Sequence, residues 1–340
     1  MPKILLIGSS FFGYRDRVAA ELRRQGYEVD ALADRPSESV AFRSVAKAAP
    51  RMLSGAIARY AESLVVTISE GGYDRVIYMG GMTFLFTHEQ MERMRAAAPD
   101  VKFTAYLWDS VSNSPILARS LDLFDSVFSF EPADCELYDL NLRPLFYSGI
   151  YANMCAGTEC GFDYDACFVG SVHQPSKFVA IRRICDELEA RGLRVFKYFF
   201  MPSKSVAVLR KATDSVYWGA SFQFEPLSSE EIAEVYARSC VIIDSPQGQQ
   251  TGLTMRTLEA VGAHRKLITT NADVINYDFF SEENVAVWDG EDGIDADFFD
   301  RPYRELSGEI LARYSIESFT SALVGAGTSF EGYSKGVMRR

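Results

Sequence analysis

A chain of 340 residues, with 48% hydrophobic and 24% charged side chains, is too long for one ordinary core and suits two globular domains. Its net charge of −11 disfavours a general nucleic-acid binder. No run approaches the roughly eighteen apolar residues that a membrane span requires.

The N-terminus enters the apolar run Lys3–Gly8 (KILLIG) directly, with no cleavable signal pattern, so a cytoplasmic protein is expected. Its six cysteines contain no C-x-x-C pair and are expected as reduced, packed thiols; Cys155, Cys160 and Cys167 fit no familiar zinc spacing. In chain order the first half reads as strand 3–8, helix 14–25 and strand 26–32. An amphipathic stretch 40–70, broken near Pro50, precedes strand 74–79. Helix 87–97, strand 101–107, helix 115–122, strand 125–130 and a short strand PLFYS (144–148) follow. Small and polar residues over 150–163 mark a crossing between domains. The alternation then restarts: strand 164–170, a helix through 176–192, strand 193–200, and helix 227–239 opened by a Ser228/Glu231 capping box. Strand 240–245, helix 254–263, strands 266–271 and 284–289 and a last helix 303–325 complete it. The pattern predicts two tandem Rossmann-like, doubly wound α/β domains facing a cleft, over 1–150 and 164–305, with 306–340 as a closing helix and tail.

Charge is unevenly placed: residues 1–150 hold 16 Lys and Arg against 19 Asp and Glu, and the remainder 19 against 27. The first half nevertheless carries a basic run of Arg15, Arg17, Arg23, Arg24, Arg43, Lys47, Arg51 and Arg59, either solvated helix faces or a surface for anionic lipid.

The loop after the first strand (GSSFFGY) has Gly8 and Gly13 but not G-x-G-x-x-G, and its aromatics, Phe12 among them, would block a pyrophosphate. A nicotinamide dehydrogenase is disfavoured; the loop is either a plain turn or, with Gly8 and Phe12, one wall of an acceptor pocket. Gly80 and Gly81, after strand 74–79, let backbone approach either a ligand, on the acceptor side, or the facing domain. Asp109, directly after strand 101–107, is a candidate base for an acceptor hydroxyl or a helix N-cap. Glu131 and Asp134 are expected to be structural.

In the second half Gly170, Ser171 and His173 sit where a strand meets a helix, a position that favours anions, and Lys177 adds a charge for a diphosphate. The segment 247–259 (QGQQTGLTMRTLE) sets a loop of glycine, amide and hydroxyl residues before a helix. Its Gln249, Gln250, Thr251, Gly252, Leu253 and Thr254 lead to Arg256 and Glu259, which are three apart and share a helix face. Arginine and free N–H groups can hold phosphate, and a carboxylate matches a ribose cis-diol. The plainer alternative is a solvated Arg–Glu pair.

FVGSVHQPSK, SSEEIAEVYARSCVIIDSP and QGQQTGLTMRTLEAVGAHRKLITTN resemble GT-B-type glycosyltransferases of bacterial polysaccharide and lipopolysaccharide assembly and the related spore-coat glycosyltransferase-like group. The resemblance covers roughly residues 164–275. It implies a nucleotide diphosphate sugar as donor in the second half and a glycan or lipid-linked acceptor in the first, with peripheral membrane contact through that first domain. It places Glu259 at the donor ribose and Arg256 and Lys177 near the diphosphate. It implies no cofactor and no metal, the leaving diphosphate being neutralised by helix dipole and basic groups. Many retaining members carry two glutamates eight positions apart; here Thr251 stands eight before Glu259. A nucleotide-sugar epimerase and a catalytically silent sugar-nucleotide-binding protein remain alternative readings.

Overall fold

Eleven strands form two parallel sheets in the computed structural model, which describes residues 1–10, 13–39, 42, 45–46, 49–81, 85–113, 115–152, 154, 161–248, 250–325 and 330–336. The chain divides into two compact units, Met1–Pro144 with Ile316–Phe330, and Leu145–Ser315 with Glu331–Arg340.

The first unit holds β1 (Lys3–Gly8), β2 (Glu28–Leu32), β3 (Arg75–Gly80), β4 (Lys102–Leu107), β5 (Ser126–Ser129) and β6 (Asn141–Leu142), in the order β2-β1-β3-β4-β5-β6. Near-continuous apolar strands such as Ile4-Leu5-Leu6-Ile7 are what a parallel sheet covered on both faces demands. One face packs on helix Ser54–Glu70 through Ile57, Ala61, Leu64 and Ile68, and on helix His88–Ala96 through Met91 and Met94. Their three-and-four spacing is the core stripe of an amphipathic helix. Truncating one of these, such as Leu64→Ala, should cost about 2–5 kcal/mol. Helix Tyr14–Arg24 contributes buried Val18 and Leu22. The returning helix Ile316–Leu323 sets Phe319 edge-on to Tyr106 at 4.7 Å, and Gln25 Nε2 donates to the Thr320 hydroxyl at 2.7 Å.

The second unit holds β7 (Tyr164–Ser171), β8 (Val195–Phe200), β9 (Ser239–Asp244), β10 (Lys266–Thr269) and β11 (Val285–Val287), in the order β11-β10-β9-β7-β8. Helix Pro175–Ala190 buries Phe178, Ile181, Ile184, Cys185 and Leu188 against Phe168, Val241, Ile243 and Ile268. The expected capping box is present: Glu231 N–H donates to Ser228 Oγ at 3.2 Å, and Ser228 N–H to Glu231 Oε2 at 2.7 Å. Cys167 and Cys185 are free thiols in this core, pushed up to about 12 by burial. Cys155 and Cys160 lie outside the described residues.

In each sheet the chain steps to one neighbour of its first strand and then back to the other, between β1 and β3 and between β7 and β9. Such a reversal opens a crevice outside the strands' carboxyl ends, the usual ligand position in open α/β sheets.

Besides the short elements Pro132–Tyr138, Asn141–Leu142 and Gly149–Ala152, three further elements differ from expectation. Residues 144–148 are buried but form no strand; Pro144 lacks an N–H, and the segment makes one isolated bridge, Tyr147 to Ser315. The last helix is two, Gly308–Arg313 and Ile316–Leu323, interrupted where the Tyr314 carbonyl accepts from Tyr147 N–H. A helix not expected from the sequence, Lys204–Thr213, follows β8.

Candidate functional site

The carboxyl ends of β7 and β9 are tied together by charge. Asp244, the last residue of β9, is 0% exposed. Its Oδ1 accepts from Arg256 Nη1 at 2.6 Å, and its Oδ2 from the Thr254 and Thr257 hydroxyls at 2.7 and 3.0 Å. Arg256 Nε and Nη2 donate to the Val169 carbonyl of β7 at 3.1 and 2.6 Å, and the guanidinium lies 5.0 Å over the Phe168 ring. Thr254, Arg256 and Thr257 are the N-cap and first turn of helix Met255–Gly262, so the carboxylate also sits at a positive helix end. Burial pushes the Asp244 carboxyl up, but Arg256, Lys177 and the Thr254 hydroxyl outweigh it and hold it below the ordinary range. At Gly170 a Cβ would fall on Arg256 Nη2, so this glycine is the space the guanidinium occupies.

Beside this network lies Lys177, in the first turn of helix Pro175–Ala190. It is half-buried, and no hydrogen bond or ion pair joins its Nζ to a described residue. Burial and the nearby Arg256 charge push it down to about 8, with Asp244 opposing. Ser171 Oγ and His173 Nδ1 are hydrogen-bonded at 2.7 Å, and Gln174 Nε2 donates to Gln247 Oε1 at 3.1 Å across the loops that follow β7 and β9. The second loop is pinned from below: buried Asn271, just past β10, donates to the Thr251 and Gly252 carbonyls at 2.9 and 3.3 Å. Leu253 is buried and Gln250 half-buried, while Gln249 lies outside the described residues.

Glu259 is 7% exposed, and its Oε2 accepts from the Tyr236 hydroxyl at 3.4 Å. The solvated Arg–Glu pair is therefore excluded. The two side chains start from one helix face but turn to different partners. Sequence reasoning passed over Asp244 and Asn271, although both show a signal: each is a polar residue closing an apolar strand run (CVIID, KLITTN).

In the first unit the sequence candidates gather at the ends of β1, β3 and β4. A Cβ at Gly8 would meet the Met79 carbonyl at 3.1 Å, one at Gly80 would fall on the Tyr78 ring, and one at Gly81 would meet Asp109 Oδ2 at 2.9 Å. What approaches these glycines closely is thus the chain's own side chains and backbone. Asp109 is half-buried, set in place by Gly81 and by Trp108 N–H, which donates to the Gly80 carbonyl at 2.9 Å. Asp134 accepts from Ser110 Oγ at 3.1 Å and Val111 N–H at 2.7 Å, the structural role expected of it. Phe12 lies outside the described residues.

Much of the basic run is engaged internally. Arg15 donates to the Gly8 carbonyl, Arg23 to the Val29 carbonyl, and Arg24 pairs with Glu21 and Glu317. Arg43 and Lys47 lie outside the described residues. Among the described residues, no group of three or more His, Cys, Asp or Glu converges as a metal site, and no helix is long and apolar enough to cross a membrane.

No protein-family model matches the chain, and no curated protein matches it. Solved structures do. A lipopolysaccharide outer core galactosyltransferase, WaaB, in its apo form, is 12% identical with a TM-score of 0.52, over 95% of this chain and 99% of that one. A UDP-GlcNAc 2-epimerase from Neisseria meningitidis bound to UDP-GlcNAc is 11% identical (TM-score 0.48, 96% and 99% covered). MurG from Acinetobacter baumannii is 13% identical (0.48, 95% and 100%). The likeness to WaaB, with the two parallel sheets, establishes a two-domain, Rossmann-like α/β fold of the GT-B kind.

Proposed function

We propose that the chain is a glycosyltransferase whose second unit holds a nucleotide diphosphate sugar and which passes the sugar to a hydroxyl of a glycan or lipid-linked acceptor. The observation that carries this is Lys177: a half-buried ammonium with no hydrogen-bond partner among the described residues, at a helix N-terminus beside the β7/β9 crevice. Burying an ammonium without a partner costs stability, and a diphosphate supplies the missing charge. The Arg256–Asp244 network ties the crevice wall together beside that ammonium. Glu259 is the group for the ribose, released from Tyr236 or binding beside it.

In the transfer Asp109 takes the proton of the acceptor hydroxyl, the acceptor oxygen bonds to the anomeric carbon, and the bond from that carbon to the diphosphate oxygen breaks. The nucleoside diphosphate leaves with the electron pair, its charge met by Lys177 and the helix dipole. This reading uses no metal. Turnover should persist in chelator, and loss restored by Mn²⁺ would overturn that part.

The test is a thermal-shift panel of nucleoside diphosphates and their sugars. One nucleoside diphosphate should raise the melting temperature, and Glu259→Gln should erase the preference for ribo- over 2′-deoxyribonucleotide. No response to any of them would refute the donor assignment. Donor incubated alone should keep its sugar; its conversion to an epimer would replace this reading with that of an epimerase.

A further inference from the structure

The second unit exposes an apolar surface that the donor site does not use. Helix Lys204–Thr213 is anchored inward by buried Ala207 and half-buried Val206, and Ser203 caps it. Ser205, Val208, Leu209 and Ala212 share its outward face by three-and-four spacing, and no charged side chain stands among them. Val208 is 68% exposed and Leu209 60%, and at the helix's C-terminal end Trp218 is 64% exposed. The Trp218 indole N–H is already satisfied, donating to the Lys211 carbonyl at 2.7 Å. Its ring can therefore enter an apolar medium without burying an unpaired donor.

Charge around this face runs opposite to that of the chain. Residues 201–224 hold Lys204, Arg210 and Lys211 against Asp214 alone, within a protein of net charge −11. The Asp214 carboxylate is turned to the backbone, accepting from Val216 N–H at 3.1 Å. We infer that helix Lys204–Thr213 and Trp218 form a membrane-interface contact that seats the second unit on an anionic lipid surface. Val208, Leu209 and Trp218 enter the headgroup boundary, and Lys204 and Arg210 meet lipid phosphates, while Lys211 stays on the Ala220 carbonyl at 2.8 Å. A second copy docking through the same patch would set Lys204 and Arg210 against their own equivalents, which charge disfavours. The inference does not depend on the donor assignment.

Flotation of the full chain with phosphatidylcholine vesicles, with and without about 30% phosphatidylglycerol, tests it. The protein should float with the anionic vesicles and less so in about 0.5 M salt. Val208→Ser/Leu209→Ser/Trp218→Gln, all at exposed positions, should keep the melting temperature and lose about tenfold in vesicle binding. Lys204→Gln/Arg210→Gln should lose the preference for anionic lipid. Quenching by brominated acyl chains should be strong in the wild type and fall in Trp218→Phe, which keeps Trp108 and Trp288. Failure of the wild type to bind anionic vesicles, or equal binding by the triple variant, would overturn the inference. So would self-association in sedimentation that the triple variant abolishes, since that assigns the face to a second copy.

Discussion

The crevices of the two units, each taken by itself, are built on different principles. At β7/β9 a buried carboxylate, a half-buried guanidinium and two threonine hydroxyls lock strand ends and helix start together, leaving one ammonium without a partner among the described residues. At β1/β3 the same topological position is shaped by glycines filled with the chain's own Met79, Tyr78 and Asp109. A charge-locked rim suits a ligand of fixed and high charge, because preorganised groups need not reorganise when it arrives. A rim shaped by sterics suits a neutral hydroxyl compound, with one carboxylate at its edge to move a proton.

Substitutions can break this contrast. The largest effect should come from Asp244→Ala, which strands Arg256 as a half-buried cation without its carboxylate; unfolding of the second unit should lose about 3–5 kcal/mol in denaturant titrations. A change below about 1 kcal/mol would mean that the network does not hold the crevice together. Asp109→Asn should leave stability and nucleotide binding alone while turnover falls about a hundredfold or more. Unchanged turnover would remove Asp109 from the chemistry.

Glycine substitutions sharpen the comparison. Gly170→Ala pushes on a guanidinium held by three hydrogen bonds and should cost about 1–3 kcal/mol. Gly81→Ala meets the end of the Asp109 side chain and should cost less than about 1 kcal/mol, with its effect on turnover instead. Equal costs would erase the distinction between a charge-locked and a sterically shaped rim.

The smallest effect concerns protons. Lys177 is pushed down to about 8 from an ordinary 10.5, so the folded state releases its proton before the unfolded state does. Its charged form therefore weakens the fold below pH 8, and that penalty fades as pH rises from about 8 to 10.5. A bound diphosphate raises Lys177 again, so calorimetry at pH 8 in buffers of different ionisation enthalpy should show uptake of about half a proton. In Lys177→Met the uptake should vanish.

Much of the fold was legible because fully apolar strands alternating with amphipathic helices leave few topologies. The misses have physical causes. PLFYS has the composition of a buried strand and is buried, but Pro144 and a single bridge give it no ladder. Helix Lys204–Thr213 carries its larger apolar residues outward, so its stripe does not read as a core face. At the site, the loop and helix of 247–259 were visible as a unit, yet the partner of Arg256 was not. Asp244 is twelve residues earlier, on another element, and only the sheet brings β9's last residue to that helix start. Gly170 was readable as part of an anion-favouring strand end but not as space for the chain's own arginine.

The central claim is that the second unit holds a nucleoside diphosphate through Lys177. Titration calorimetry at pH 7 of wild type and Lys177→Met with the nucleoside diphosphate that shifts melting tests it most directly. Wild type should bind, and Lys177→Met should bind about tenfold or more weakly while its unliganded melting temperature stays level or rises. Equal affinity in the two proteins, or no binding by wild type, would contradict it.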